Sequence, residues 1–449
     1  MNGRNHAGSG SQPGASTRLF HDCNADNRPT VADSRAAKQL RSILVNHSPS
    51  PCQLTARCGS SAWLCHTVLV VLLNAAASGS AANVVAWGAG TVVNPNNYNQ
   101  AGQSLVPAGL TNAVQLDGGW RHSLAVRNDG TLLGWGEDTL GQTDFPATSD
   151  YLAVACGDLF SLALRTNGTV TATGDDNFYG ELDVPAGLSN VVAVAGGAYH
   201  GLALKADGAV AAWGGEGAYN FGQANVPAGL SDVVAVAGGG WHSLVLKADG
   251  TLDAWGRGDS GQTNLPPGLS NVVAIAAGGA HNLALKSDGT VVAWGLDTYG
   301  ETDVPPGLSN VVQIAAGGWH SLALRADGTV VAWGAGSGAN TNVDYGQSTV
   351  PPGLSNVVHI AAGRLHSLAL RGSAPPIAQV AVTVDGFTGA GFSVSLPTQN
   401  GRVYRLEYRD SLTDLAWHAL SLHAGSGGPL TLTDTAPPGN QRFYRVRRW

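Results

Sequence analysis

Six histidines occupy one recurring point of this 449-residue chain, His122, His200, His242, His281, His320 and His366, and Phe160 takes the same place once. Imidazole is the side chain most used for metal ligation and for proton transfer near neutral pH, so this series is the first place to look for chemistry. The spacing argues against both uses. Members are mostly 38 to 42 residues apart, one to each copy of a repeat, whereas metal ligands must all converge to about 2 Å from one ion. Each His is expected instead to bond loop backbone between neighbouring copies, at a position that Phe160 shows can be apolar. Asp129, Asp207, Asp249, Asp288 and Asp327 keep the same period and each precedes Gly, which assigns them to turns and not to acid–base work. No Gly-x-Ser-x-Gly, His-Glu-x-x-His or Cys/His cluster occurs. The chain therefore reads as non-enzymatic, with no cofactor and no metal.

The two residues before each of these seven positions vary while their surroundings repeat. They are Trp120-Arg121, Asp158-Leu159, Ala198-Tyr199, Gly240-Trp241, Gly279-Ala280, Gly318-Trp319 and Arg364-Leu365. Aromatic and Arg side chains supply most of the energy at protein interfaces, because they bury much area for few lost rotamers. Trp120, Arg121, Leu159, Tyr199, Trp241, Trp319, Arg364 and Leu365 are accordingly the candidate partner-binding set. The alternative is that these side chains pack on their own sheets or cover the mouth of a channel.

Positioning them is the task of a repeated module, seen plainly from Asn310 to Gly334. Val311 to Ala315 is β-branched at its start, His320 to Arg325 alternates in polarity, and Thr329 to Trp333 is again apolar. The Asp327-Gly328 pair between the last two predicts a two-residue hairpin turn with φ > 0 at both positions. Pro and Gly in the connection to the next copy mark a loop, with a short outer strand expected at Thr302 to Val304. Each copy thus predicts a small antiparallel sheet. A Trp-Gly pair closes the module at Trp87, Trp135, Trp213, Trp255, Trp294 and Trp333, with Thr173 as the exception. These Trp residues are expected between sheets, and Thr173 should leave its own sheet looser.

The His and Trp series are out of phase. Asn83 to Gly88 supplies a last strand with no hairpin before it, and the final copy stops at Arg371 without one. Pairing Val84–Trp87 with Leu368–Arg371 would complete a seventh sheet from both ends of the region and remove its exposed edges. The expected fold is all-β: a seven-bladed β-propeller at 83–372, closed by N- and C-terminal strands in one blade.

Residues 1–82 read as a polar, structureless leader ending in a secretory signal, whose apolar core is about 62–73. That run is shorter than the roughly 20 residues a spanning helix needs, so stable membrane insertion is not expected. Four of five cysteines lie in the leader, which leaves Cys156 alone in the rest; a disulfide-stapled scaffold is excluded. After a linker at 373–379, residues 380–449 predict a small β-sandwich-like domain, with strands near 380–384, 391–396, 403–408, 417–422, 430–433 and 443–446.

The pattern GQTxVPPGLSNVVAIAAGxxHSLALKxDGTVVAWG, as in Gly261 to Gly295, resembles the regulator of chromosome condensation repeat superfamily. Its length is most similar to the secreted bacterial branch typified by β-lactamase inhibitory protein II. The resemblance implies a propeller, and from that branch it implies protein binding through aromatic loops on one face. The segment YRLEYRDSLTDLAWHAL and the end of the chain resemble immunoglobulin-like or fibronectin-like modules of exported proteins.

Charge limits the partners. Between the leader and the C-terminal domain, 10 Lys/Arg face 23 Asp/Glu. Such a surface repels phosphate backbones, so nucleic acid is not an expected partner, whereas a basic protein patch would be attracted. The sequence favours a secreted, periplasmic or cell-surface monomer that binds a protein, including as an inhibitor of an extracellular or periplasmic enzyme. Exposed Trp faces leave carbohydrate binding as the alternative, and a guanine-nucleotide exchange role as a weaker one.

Overall fold

In the computed structural model the described residues are 52–54, 83–94, 97, 99–174, 177–336, 343–372, 383–388, 391–410, 417–435 and 442–449. The proposed signal core, the leader apart from 52–54, and the 373–379 linker lie outside them. Seven three-stranded antiparallel sheets carry the repeat. Sheet 1 is Ala113–Gly118, His122–Arg127 and Leu132–Gly136; the next five follow the same order as far as Val330–Gly334. In sheet 7, Val357–Ala362 and His366–Arg371 are joined by Asn83–Gly88, which pairs along its whole length, from Asn83 opposite Arg371 to Gly88 opposite His366. The described helix content is one 3₁₀ turn, Gly217–Tyr219.

The middle strand of every sheet is buried at its first five positions. In His320–Arg325, Leu322, Ala323 and Leu324 are completely buried. Both faces of such a strand meet neighbouring sheets, and large Leu alternating with small Ala lets them interdigitate. The first strands of all seven sheets line one cavity of about 520 Å³. Side chains on these strands bond the next sheet's backbone. The Gln115 amide takes both the N–H (3.1 Å) and the C=O (3.2 Å) of Val154, and Gln313 does the same to Ile360. His359 Nε2 reaches Leu116 O at 3.2 Å, which links sheet 7 to sheet 1.

Three local expectations need correction. At the hairpins only Gly has positive φ, 78° at Gly130 and 81° at Gly328, and the preceding Asp does not. Gly130 N–H donates to Arg127 O, and Arg127 N–H to Thr131 O. This is the three-residue loop in which a tight turn is followed by a left-handed Gly. The Asp side chain has a different purpose, since Asp129 Oδ1 accepts the N–H (3.0 Å) and hydroxyl (2.6 Å) of Thr131. Secondly, Thr302 to Val304 forms a turn and loop instead of an outer strand. Thirdly, the leader contributes a strand: Cys52–Leu54 pairs with Tyr444 to Val446 of the C-terminal domain.

That domain has two sheets. One places Phe443–Arg448 between Cys52–Leu54 and Val403–Arg409, with His418–Ala424 outside; the other is Thr383–Thr388, Gly391–Pro397 and Pro429–Asp434. Phe392, Val394, Leu396, Tyr404, Leu406, Leu432 and Tyr444 form its core. Its outer surface packs on sheets 3 and 4. Val403, Leu422 and Trp449 join the apolar cluster of Leu204, Val233 and Leu246, and Leu422 N–H donates to Ala206 O at 2.9 Å.

Candidate functional site

The repeated histidines are completely or almost completely buried, and each Nε2 meets a side chain of the following sheet. The pairs are His122–Ser161, His200–Ser243, His242–Asn282, His281–Ser321, His320–Ser367 and His366–Ser123, at 2.8 to 3.1 Å. The partner is thus a side chain and not the loop backbone expected. That backbone is bonded one step further on, as Ser243 Oγ donates to Gln223 O and Ser367 Oγ to Gln347 O. The hydroxyls of Ser123, Ser243, Ser321 and Ser367 have spent their protons on carbonyls and can only accept from imidazole, which fixes the Nε2–H tautomer of His366, His200, His281 and His320. Burial pushes these rings down, to about 3 for His200, His281, His320 and His366 and about 4 for His122 and His242. They are neutral structural donors. Among the described residues no three His, Cys, Asp or Glu side chains converge on a metal-sized point.

The indoles of the Trp-Gly pairs cap the same carbonyls: Trp255 Nε1 donates to Gln223 O (2.8 Å) and Trp333 Nε1 to Glu301 O (2.9 Å). The buried Gln or Glu then folds its own loop back, Gln223 Oε1 accepting the N–H of Phe221 (2.8 Å) and Glu181 that of Tyr179 (2.9 Å). Because His200 pairs with Gly214 across the sheet, the variable doublets and the loops after Trp-Gly lie at the same end. The two join directly, Gly215 N–H to Tyr199 O and Arg257 N–H to Trp241 O.

These loops place the candidate residues in two groups. In the first, the Arg364 guanidinium lies over Trp120 (4.4 Å) and Trp319 (4.9 Å) and pairs with Asp158. In the second, Tyr199 stacks on Tyr219 with centroids 4.7 Å apart; Tyr179 meets both rings at 4.9 Å, and Tyr219 continues to Trp241 at 6.4 Å. Arg257 closes this row over Phe221 (5.0 Å) and Trp241 (5.3 Å). Arg121 is held by Glu137 at 2.8 Å. Leu159 is partly buried. Leu365 is 2% exposed and packs inward, so it presents nothing to a partner.

The regulator of chromosome condensation (RCC1) repeat description matches residues 113–142, 152–181, 191–223, 233–262, 272–301 and 311–347. Six segments of the chain match the RCC1 repeat. The crystal structure of Prp20p from Saccharomyces cerevisiae is similar, with a TM-score of 0.52 and 20% identity, over 65% of this chain and 92% of that one. Yeast RCC1 (Prp20) in its complex with Kap60 gives a TM-score of 0.50 at 20% identity, over 66% and 89%. At that identity the likeness is one of fold, an RCC1-like β-propeller. The ultraviolet-B receptor UVR8 of Arabidopsis thaliana is 34% identical over 74 residues, 13% of this chain and 17% of that protein. The chain therefore spans only about a sixth of that curated relative.

Within the matched repeats the doublets alone pointed to the face, and they missed much of it. Phe178 is 71% exposed and Phe221 41%; with Tyr179, Tyr219 and Arg257 they come from the loops after the third strand, which follow Thr173-Gly174 in sheet 2 and Trp-Gly in sheets 3 and 4. The signal was present, since Asn-Phe-Tyr-Gly-Glu and Tyr-Asn-Phe-Gly-Gln put aromatics just before the repeated Gly-Gln/Glu. Reading it required knowing that these loops and the doublets share an end of the sheet. Among the described residues no helix is long and apolar enough to cross a membrane.

Proposed function

We propose that this chain is a non-enzymatic protein-binding propeller whose seven sheets form one closed ring and whose loop face carries the contact surface. Closure is supported by the pairing of Asn83–Gly88 with His366–Arg371 and by the His366–Ser123 bond from sheet 7 back to sheet 1. The observation that carries the functional reading is the row of aromatic and Arg side chains at one end of the sheets, from Trp319, Arg364 and Trp120 to Tyr199, Tyr219 and Trp241. Such rigid anchors across several repeats suit a broad protein surface. Faces of Trp241 and Trp319 are already taken by Tyr219, Arg257 and Arg364, which favours a protein over a sugar stacked on a bare ring. Prp20p, whose crystal structure is described together with its binding to Gsp1p and histones, supports a protein partner at the level of fold. The acidic ring and the apolar run at 62–73 favour an exported protein, including an inhibitor of an extracellular enzyme, over an exchange factor.

The test is a pulldown from secreted and periplasmic fractions with the wild type and a Trp241→Ala, Trp319→Ala double variant. Each buried anchor is expected to contribute about 2 kcal/mol or more. Equal recovery of every bound protein by both would end the proposal.

A further inference from the structure

The loop face is unequal in its two halves, and the difference identifies the chemistry of a partner. Around sheets 6, 7 and 1 the polar groups are matched internally, with Arg364 between two indoles and paired to Asp158, and Arg121 paired to Glu137. Around sheets 2 to 4 the surface is open. Phe178 and Phe221 are exposed at either side of Tyr179, Tyr219 and Trp241. Glu216 is exposed among them: its N–H donates to Tyr179 O at 3.0 Å, and its carboxylate lies against Gly180, 3.2 Å from where a Cβ would stand. Among the described residues it has no ion-pair partner.

Charge on this face is one-sided. Among the described residues, 137–145, 177–183, 215–226, 257–265, 296–304 and 343–350 carry three, two, one, one, three and one carboxylates in turn, against a single base, Arg257. Arg257 is itself paired to Asp259 at 2.7 Å. Every base on the doublets and these loops is thus neutralised by a carboxylate of the same face, and the uncompensated charge is negative. Exposed aromatic rings beside the Glu216 carboxylate favour a cation with an aliphatic stem, since ring quadrupole and carboxylate attract the head while the rings cover the methylenes.

Resting on the reading of this face as a protein-binding surface, we propose that its sheet 2 to 4 half receives a Lys/Arg-rich protein segment. The cationic side chains lie against Phe178 and Phe221, the exposed rings at either side of the stacked row, and Glu216 supplies the counter-charge. The acidic loops around them steer the approach.

The test uses the full chain and three fluorescein-labelled peptides built on Lys-Gly-Leu-Gly repeats, the second with Gln for Lys and the third with Glu for Lys, read by anisotropy. The Lys peptide is expected to bind at least about ten-fold more tightly than the Gln peptide at low salt and to weaken as salt rises. Phe178→Ala with Phe221→Ala should remove most of that binding, and Glu216→Gln should weaken it by about three- to ten-fold. All three positions are exposed, so folding should be retained, as circular dichroism would verify. The proposal is overturned if no peptide binds, if the Gln or Glu peptide binds as well as the Lys peptide, or if Lys-peptide binding ignores both variants. A natural partner lost with Trp241→Ala, Trp319→Ala but unaffected by Glu216→Gln would overturn this proposal alone and leave the wider reading standing.

Discussion

Phe160 and Gly201 depart from the repeat together: one replaces the buried His of sheet 2 and the other replaces the Ser it would meet on sheet 3. A side chain at Gly201 would overlap the ring of Trp213, so the hydroxyl cannot simply be restored. Phe160→His should therefore place a buried imidazole opposite no acceptor and cost about 1–3 kcal/mol, read as a lower urea midpoint. A midpoint equal to wild type would show that the seam tolerates an unmatched donor. The remaining six His give a pH dependence. Their folded values of about 3 to 4 lie below the ordinary 6.5. Above about pH 6.5 both states hold neutral rings and stability is complete. As pH falls below that, the unfolded chain takes up protons the folded one refuses, and stability declines down to about pH 3 to 4. At pH 5 each ring can cost as much as about 2 kcal/mol. Asp117, buried and pushed up to about 7, has the opposite sign, but it is one group against six. Urea midpoints at pH 7.5 and pH 5 should differ clearly, with the acid value lower.

At the scale of the strand and hairpin, the left-handed Gly is the sensitive point. Gly328→Ala puts a Cβ on a φ of 81° and, at 3.1 Å, against Asn356 Cα. A loss of about 1 kcal/mol or more is expected from thermal or urea unfolding. The strands themselves were legible because a β-branched or Leu-rich run bounded by Gly and Asp has few other foldings. The turn type was not, since Asp-Gly serves both a two-residue loop and the three-residue loop with a left-handed Gly, and only the hydrogen bonds distinguish them. Nor was the fate of Leu365 and Arg364. Whether a side chain faces outward depends on what another sheet brings against it, such as Asp158 of sheet 2 beside Arg364 of sheet 7, and residue order says nothing of that distance. The aromatic loop residues were hidden for a related reason: their closeness to the doublets follows from His200 pairing with Gly214, which is a fact of register.

For the molecule as a whole, the C-terminal domain is anchored on the repeat by Trp449. This side chain is 6% exposed within the cluster shared with sheets 3 to 5, and the guanidiniums of Arg405 and Arg447 lie over it at 5.0 and 4.7 Å. Trp449→Ala should cost about 3 kcal/mol or more and speed tryptic cleavage of the C-terminal domain. Unchanged proteolysis would mean that the other contacts, including Leu422 to Ala206, are enough to hold it. The strand Asn83–Gly88 has a further consequence, for synthesis on the ribosome. It is the first part of the repetitive region to emerge, yet its partner His366–Arg371 is nearly the last. At about 5–20 residues per second, it waits for roughly a quarter of a minute to a minute with an unpaired edge. Nascent chains stalled short of His366 should accordingly recruit holdase chaperones, and chains released beyond it should not.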